Sequence, residues 1–391
     1  MTSMILENSE HGIVLDNEFS CGSASGIRQV DSSLYEVDYL REEPPDWFVG
    51  YLEEHFGGRG VPKEYAFCIR IRNQKDEPQR VTVRFLLTKN CGVSYLAPPN
   101  WIRHESGWFW INPGETHYHP EREYLELSPE IGPRETIWLA SAPFLAPEVV
   151  EQKIRQIAEH YPLWTSREIG RTAQNRPILV LESEPRPLKL AVAATLQPAE
   201  PAGWGVLHLA HWLTIPSSRV RRLLKKIQFC LIPMPNPDGS AEGRSVTNSL
   251  GEVPKFSFTE VAEGRPGPLE TTALWNYLKE VRPEIYFEHH LHYTWEKPWV
   301  RRLNPTESDY VPEGMRPIAK ATESALRELL PDINIVPIDP RKPDHSCYGV
   351  QHFVDLGILS FAYQGIPDSI ENHSADVREV IEELANQWLQ S

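Results

Sequence analysis

Two hydrophobic textures follow one another along the chain, and the change falls near residue 145. From Tyr65 onward apolar residues recur at every second position in YAFCIRIRN, RVTVRFLL, GWFWI, REYLEL and TIWLAS, divided by turn-like stretches such as NQKDEPQ and INPGE. In RVTVRF, Val81, Val83 and Phe85 fall on one face while Thr82 and Arg84 fall on the other, the period of a strand with one side in a core. Several such strands with no helix between them predict a β-sandwich-like domain over residues 1–145. Residues 1–45 carry few periodic signals and are expected to include a frayed start. PEVVEQKIRQIAEHY then places Val150, Ile154, Ile157 and Ala158 on one helical stripe, a helix that links into a second domain.

After Trp164, apolar strands (PILVLES, LKLAVAAT, IQFCLIPM, EIYFEHH, ILSFAYQ) alternate with helical segments (WGVLHLAHWL, LETTALWNYLKEV, MRPIAKATESALRELL, ADVREVIEELANQWLQ). Near-continuous apolar strands between amphipathic helices predict an α/β domain over residues 146–391, with a mixed sheet covered on both faces. Within it, PEIYFEHHLHYTW (Pro283 to Trp295) concentrates the polar chemistry. Strand alternation puts Tyr286, Glu288, His290 and His292 on one side, and Ile285, Phe287 and His289 on the other. An acid and three histidines closing an apolar strand sit where open α/β sheets bind ligands, beyond the carboxyl end of a strand. This is the candidate site.

Bulk properties narrow the function classes. A net charge of −15 over 391 residues opposes nucleic-acid and anionic-membrane partners. No apolar run has the length of a membrane span, and MTSMILENSEHG lacks the order of a secretory signal. Cys21, Cys68, Cys91, Cys230 and Cys347 are scattered, without a CxxC pair. That argues against a disulfide scaffold or thiolate zinc site and for a reducing cytoplasm.

The order of motifs resembles the M14 zinc carboxypeptidases, in particular their cytosolic branch. SREIGRTAQNRPILVLES is similar to the region that opens the peptidase domain, and IPMPNPDGSAEG, with Asn236 to Gly239, to its Asn-Pro-Asp-Gly turn. FEHHLHY is similar to the strand with the third zinc ligand, DLGILSFAYQG to the strand with the catalytic acid, and the β-rich front to the accessory domain of that branch. The resemblance spans roughly residues 45–391. It implies zinc-assisted hydrolysis of a C-terminal peptide bond: His-x-x-Glu and a later His hold the metal, a Glu takes the water's proton, and Arg side chains bind the substrate carboxylate.

Position by position, the resemblance implies a depleted site. The first zinc-ligand position holds Gln197, Glu200 keeps the acid, and His290 is retained as the third ligand. The Arg position is Val246 with Arg244 nearby, the Asn-Arg pair reads Lys255-Phe256, and the catalytic acid is Gln364. Tyr348, in RKPDHSCYG, is the residue left to cover the substrate. An amide binds zinc less well than an imidazole, Gln364 cannot take a proton from water, and Lys255 offers a carboxylate a point charge rather than a fork. Zinc is therefore expected to be held weakly or not at all. His292 and Glu288 could rebuild a metal site with Glu200 and His290.

Other candidates keep two readings. His208 and His211 have metal-binding spacing but read better as buried, hydrogen-bonded side chains. His345 and Cys347 form a conceivable nucleophile pair, and His117 with His119 read as a strand edge. The aromatic and cationic run from Tyr293 to Arg302 suits either a pocket mouth that grips a peptide or a surface loop. Asn236 to Gly239 reads as a tight structural reversal. The expectation is a carboxypeptidase-like protein that binds a peptide or peptide-like ligand, with ordinary zinc carboxypeptidase hydrolysis lost or altered, working beside a partner enzyme. The alternative is an active metal-dependent hydrolase, or a repurposed enzyme, acting on a peptide or amide substrate through His290, Glu200 and their neighbours.

Overall fold

A computed structural model of the chain describes residues 4–40, 42–56, 66–86, 101–111, 117–119, 124–291, 301–307, 309–339, 350–365 and 369–390. The chain divides into two compact units. The first runs to Ala146 and also takes in Gly239–Gly251, while the second begins at Pro147.

In the first unit, a six-stranded and a five-stranded sheet share one core. Leu15, Ile69, Ile71 and Leu139 enter it from one sheet, and Tyr35, Val37, Val83, Phe85 and Leu125 from the other. The inward residues of Thr82–Leu86 are Val83 and Phe85, as the period-2 pattern predicts. From residue 5 the front of the chain is regular where its sequence showed little period: Ile5–Asn8, Ile13–Asp16, Gly26–Gln29 and Leu34–Asp38 are all strands. They are too short to display a period. What fixes them is distant pairing, of Ile13–Asp16 with Cys68–Asn73 and of Leu34–Asp38 with Thr82–Leu86. Buried Asp16 locks the first pairing by accepting Arg70 at 2.7 Å and Arg72 at 3.0 Å.

Gly239–Gly251, expected in the second domain, packs with the first unit. Cys21 N donates to Ala241 O at 2.8 Å, and Ala66 N to Ser245 Oγ at 3.0 Å. The Glu42 carboxylate accepts the Ser245 N–H, and also Thr247 N at 3.0 Å and Thr247 Oγ1 at 2.7 Å. Gly243 has φ +57, and a Cβ there would stand 2.5 Å from Cys21 O; only glycine fits.

The second unit is built on an eight-stranded mixed sheet in the order Trp164–Arg171, Pro177–Ser183, Ile227–Ile232, Leu188–Ala194, Ile285–Leu291, Leu359–Gly365, Arg302–Pro305, Asn334–Ile335. Ile227–Ile232, Leu188–Ala194, Ile285–Leu291 and Leu359–Gly365 run parallel, flanked by antiparallel strands. Every residue of Ile285–Leu291 is buried, as expected of a parallel strand covered on both faces. Leu274, Trp275 and Leu278 of helix Leu269–Val281, together with Phe353, pack with Ala191, Ala193 and Tyr286 of the sheet. Helices Gly203–Trp212 and Ile370–Gln390 pack against each other, and the former also against Leu188–Ala194. Among the described residues, no helix is long and apolar enough to cross a membrane.

Candidate functional site

The carboxyl ends of three adjacent parallel strands bring the candidate residues together. Register places Ala193 beside Glu288, Ala194 beside His289, and His290 beside Gln364. The predicted alternation holds. Tyr286 donates from its hydroxyl to Glu288 Oε2 at 3.3 Å, and Glu288 in turn reaches His290. On the other face His289 stacks on Tyr363, with ring centroids 5.3 Å apart.

Beyond Ala194 the chain turns through Thr195, whose φ of 56° is unusual for a β-branched residue. Thr195 Oγ1 accepts the N–H of Gly203 at 2.9 Å, meeting one of the unsatisfied donors of the Gly203–Trp212 helix. Glu200 N donates to Gln197 O at 3.0 Å within this loop, and Asn236 Nδ2 donates to Leu196 O at 3.3 Å. The loop therefore has fixed supports at both ends.

Glu200 Oε2 lies 2.7 Å from His290 Nδ1. His290 Nε2 lies 2.9 Å from Glu288 Oε1, and Lys255 Nζ is 2.5 Å from that same oxygen. The ring nitrogen is not aligned with Glu288 as a hydrogen bond, but the spacing is that of an ion pair and both groups are buried. Burial pushes the Glu288 carboxyl up; Lys255 first, and then His290, outweigh it and hold the group at about 2. Burial and Lys255 push His290 down, yet Glu200 and Glu288 prevail and its pKa is raised. The result is an imidazole held between two carboxylates, with an ammonium closing the cluster. Gln364, opposite His290, keeps a buried Oε1 with no hydrogen-bond partner.

Sequence reasoning placed Gln197, Glu200, Glu288, His290 and Gln364 at this edge of the sheet. Lys255 is there too, but it is paired with Glu288 instead of being open to a ligand's carboxylate. A charge pair between residues 33 positions apart, as the numbers 255 and 288 give, leaves no periodic trace. Arg244 belongs to the first unit, where it bonds Glu242 at 2.7 Å and Thr247 at 3.1 Å. Val246 is buried in the same segment, its N–H directed to Glu42 at 3.3 Å. His292 and Tyr348 lie outside the described residues, as do His345, Cys347 and most of the Tyr293 to Arg302 run.

Two readings need correction. The Asn236 to Gly239 segment is no simple reversal: Pro237–Ala241 is a short helix, and buried Asp238 accepts Thr172 Oγ1 at 2.7 Å, Gln174 N at 2.9 Å and Arg176 Nη1 at 2.8 Å. This carboxylate staples the turn joining Trp164–Arg171 to Pro177–Ser183. His208 and His211 are exposed rather than buried, because their stripe of the Gly203–Trp212 helix faces away from the sheet. His117 and His119 do lie on the edge strand His117–His119.

A catalytic zinc needs three protein donors and an open position. Glu200 and His290 supply two donors, an amide such as that of Gln197 would be a poor third, and the Lys255 ammonium close by opposes a divalent cation. Among the described residues, no three His, Cys, Asp or Glu side chains converge in a way that could hold a metal ion. These residues do not fit an ordinary zinc centre.

Residues 150–258 match the zinc carboxypeptidase family, Peptidase M14. A metallo-carboxypeptidase from Burkholderia cenocepacia superposes with a TM-score of 0.78 over 97% of this chain and 99% of its own, at 16% identity. The fold is carboxypeptidase-like. A metallo-carboxypeptidase from Pseudomonas aeruginosa, solved with (2-guanidinoethylmercapto)succinic acid, gives 0.73 over 95% of this chain and 98% of its own, at 17% identity. No curated protein sequence matches the chain. The carboxypeptidase-like sheet thus carries its polar cluster at the edge that the strand-end rule indicates.

Proposed function

We propose that this carboxypeptidase-like chain binds a peptide or peptide-like ligand at the carboxyl edge of its second sheet and has lost ordinary zinc carboxypeptidase hydrolysis. The observation that carries this reading is His290, whose two ring nitrogens face Glu200 and Glu288 while Lys255 balances the charge. Gln197 and Gln364 support it, since neither amide grips zinc well nor takes a proton from water. The unmet Gln364 Oε1 offers an acceptor for a ligand N–H. Such a protein would act as a recognition subunit beside a partner enzyme. Cys21, Cys68 and Cys230 are buried and outside any disulfide, which suits a reducing compartment such as the cytoplasm.

The test is zinc content of the chain purified without chelators, together with binding and hydrolysis of a peptide panel. Substoichiometric zinc and peptide binding without turnover are expected. One firmly held zinc per chain with brisk hydrolysis overturns the reading. A second reading is favoured by the shifted pKa values of Glu288 and His290: acid–base or metal-dependent chemistry on an amide substrate by His290, Glu288 and Glu200. That reading gains if a turnover present in the wild-type chain disappears in folded His290→Ala and Glu200→Gln variants.

A further inference from the structure

Three helices of the second unit, Pro147–His160, Gly203–Trp212 and Ile370–Gln390, line a groove of about 790 Å³ that shares no residue with the Glu200–His290 cluster. Each helix presents a stripe at helical spacing. Lys153 and Ile157 come from the first, Trp204, Leu207 and His211 from the second, and Ser374 and Arg378 from the third. Sheet packing does not explain these stripes, since Trp204, His208, His211 and Trp212 are not buried in the core.

The lining has a definite chemical character. Ile157, Leu207 and Ala375 with the ring of Trp204 make an apolar bed, and a volume of this size suits a small organic molecule. Lys153 and Arg378 supply two permanent positive charges against the single carboxylate of Glu371, although the overall chain is strongly acidic. Arg378 spends one nitrogen on Glu379 at 3.0 Å, a surface pair with both side chains over a third exposed, which leaves its other N–H groups available. Ser374 lies in the groove wall at 4% exposure, and its Oγ has no hydrogen-bond partner. Buried hydroxyls normally find one. An anionic ligand head would find that hydroxyl and the two cations in the same groove.

We propose that this groove is a binding site for a small amphiphilic carboxylate, with an acyl or aromatic body lying on the apolar bed and its carboxylate at Ser374, Arg378 and Lys153. A neutral ligand would leave the excess positive charge of the groove and the Ser374 hydroxyl without an acceptor, and a purely polar anion would leave the bed exposed to water.

Calorimetric titration of the full chain with decanoate, and with decanol as the neutral counterpart, tests this. Saturable binding of decanoate at one site is expected, with decanol weaker by about tenfold or more. Arg378→Gln and Lys153→Gln should each weaken decanoate by several-fold while leaving decanol unchanged, and Ala375→Trp should block both. Circular dichroism melts establish that each variant is folded; should Ala375→Trp fail to fold, the two charge variants decide. Equal affinity for decanoate and decanol, absence of saturable binding, or wild-type affinity in both charge variants overturns the proposal.

Discussion

Lys255 and Glu288 are each 4% exposed at the side chain, so neither charge has water to fall back on. Lys255→Met leaves the Glu288 carboxylate buried beside His290 and the Tyr286 hydroxyl, without its ammonium, and should cost about 3–5 kcal/mol. Adding Glu288→Gln should return much of that loss, because the uncompensated charge goes with it. Urea unfolding of the single and double variants measures both, and a Lys255→Met chain as stable as wild type would show that the pair contributes nothing. Glu42 has the opposite character. Burial pushes its carboxyl above the ordinary value of 4.5, although the Ser245 and Thr247 groups pull against that. A raised folded pKa means tighter proton binding in the folded state, so the associated stability is present below pH 4.5 and fades as pH rises through the folded value. The difference in melting temperature between wild type and Glu42→Gln should therefore shift against the wild type from about pH 4.5 upward. A pH-independent difference contradicts this assignment.

The loop from Thr195 to Ala202 shows how one element holds chemistry in place. Its positive-φ residue and the first helical N–H of Gly203 meet in a single hydrogen bond, so backbone strain and helix capping are settled together. Thr195→Val preserves shape but removes the acceptor, and should cost about 1–2 kcal/mol. It should also loosen Glu200 against His290, readable as a changed His290 imidazole shift by NMR; an unchanged shift and melt would mean the loop is held elsewhere. Strands of this unit were legible in sequence because their apolar runs are long and bounded by turns. The four-residue strands Ile5–Asn8, Ile13–Asp16 and Gly26–Gln29 were not, since their partners and not their own pattern define them. The common face of Tyr286, Glu288 and His290 on Ile285–Leu291 followed from alternation, while their choice as candidate site residues came from the clustered ionisable groups and the family resemblance. Lys255 against Glu288, and Asp238 across the Thr172 to Arg176 turn, needed coordinates because tertiary ion pairs obey no period.

At the scale of the whole molecule, the first unit depends on residues the chain supplies late. A fragment ending at Ala146 lacks Ala241 for Cys21 N and Ser245 for Ala66 N. Amide exchange at those two positions should be faster in the fragment by orders of magnitude, and equal protection would show that the returning segment adds no stability. The same threading has a consequence for biosynthesis. Glu42 and Thr247 are 205 residues apart, so a nascent β-rich front leaves the ribosome with a carboxylate still waiting for donors that have yet to be translated. Completion of that front is gated by elongation, and premature termination anywhere before Thr247 yields a product with an open flank that quality-control machinery can recognise.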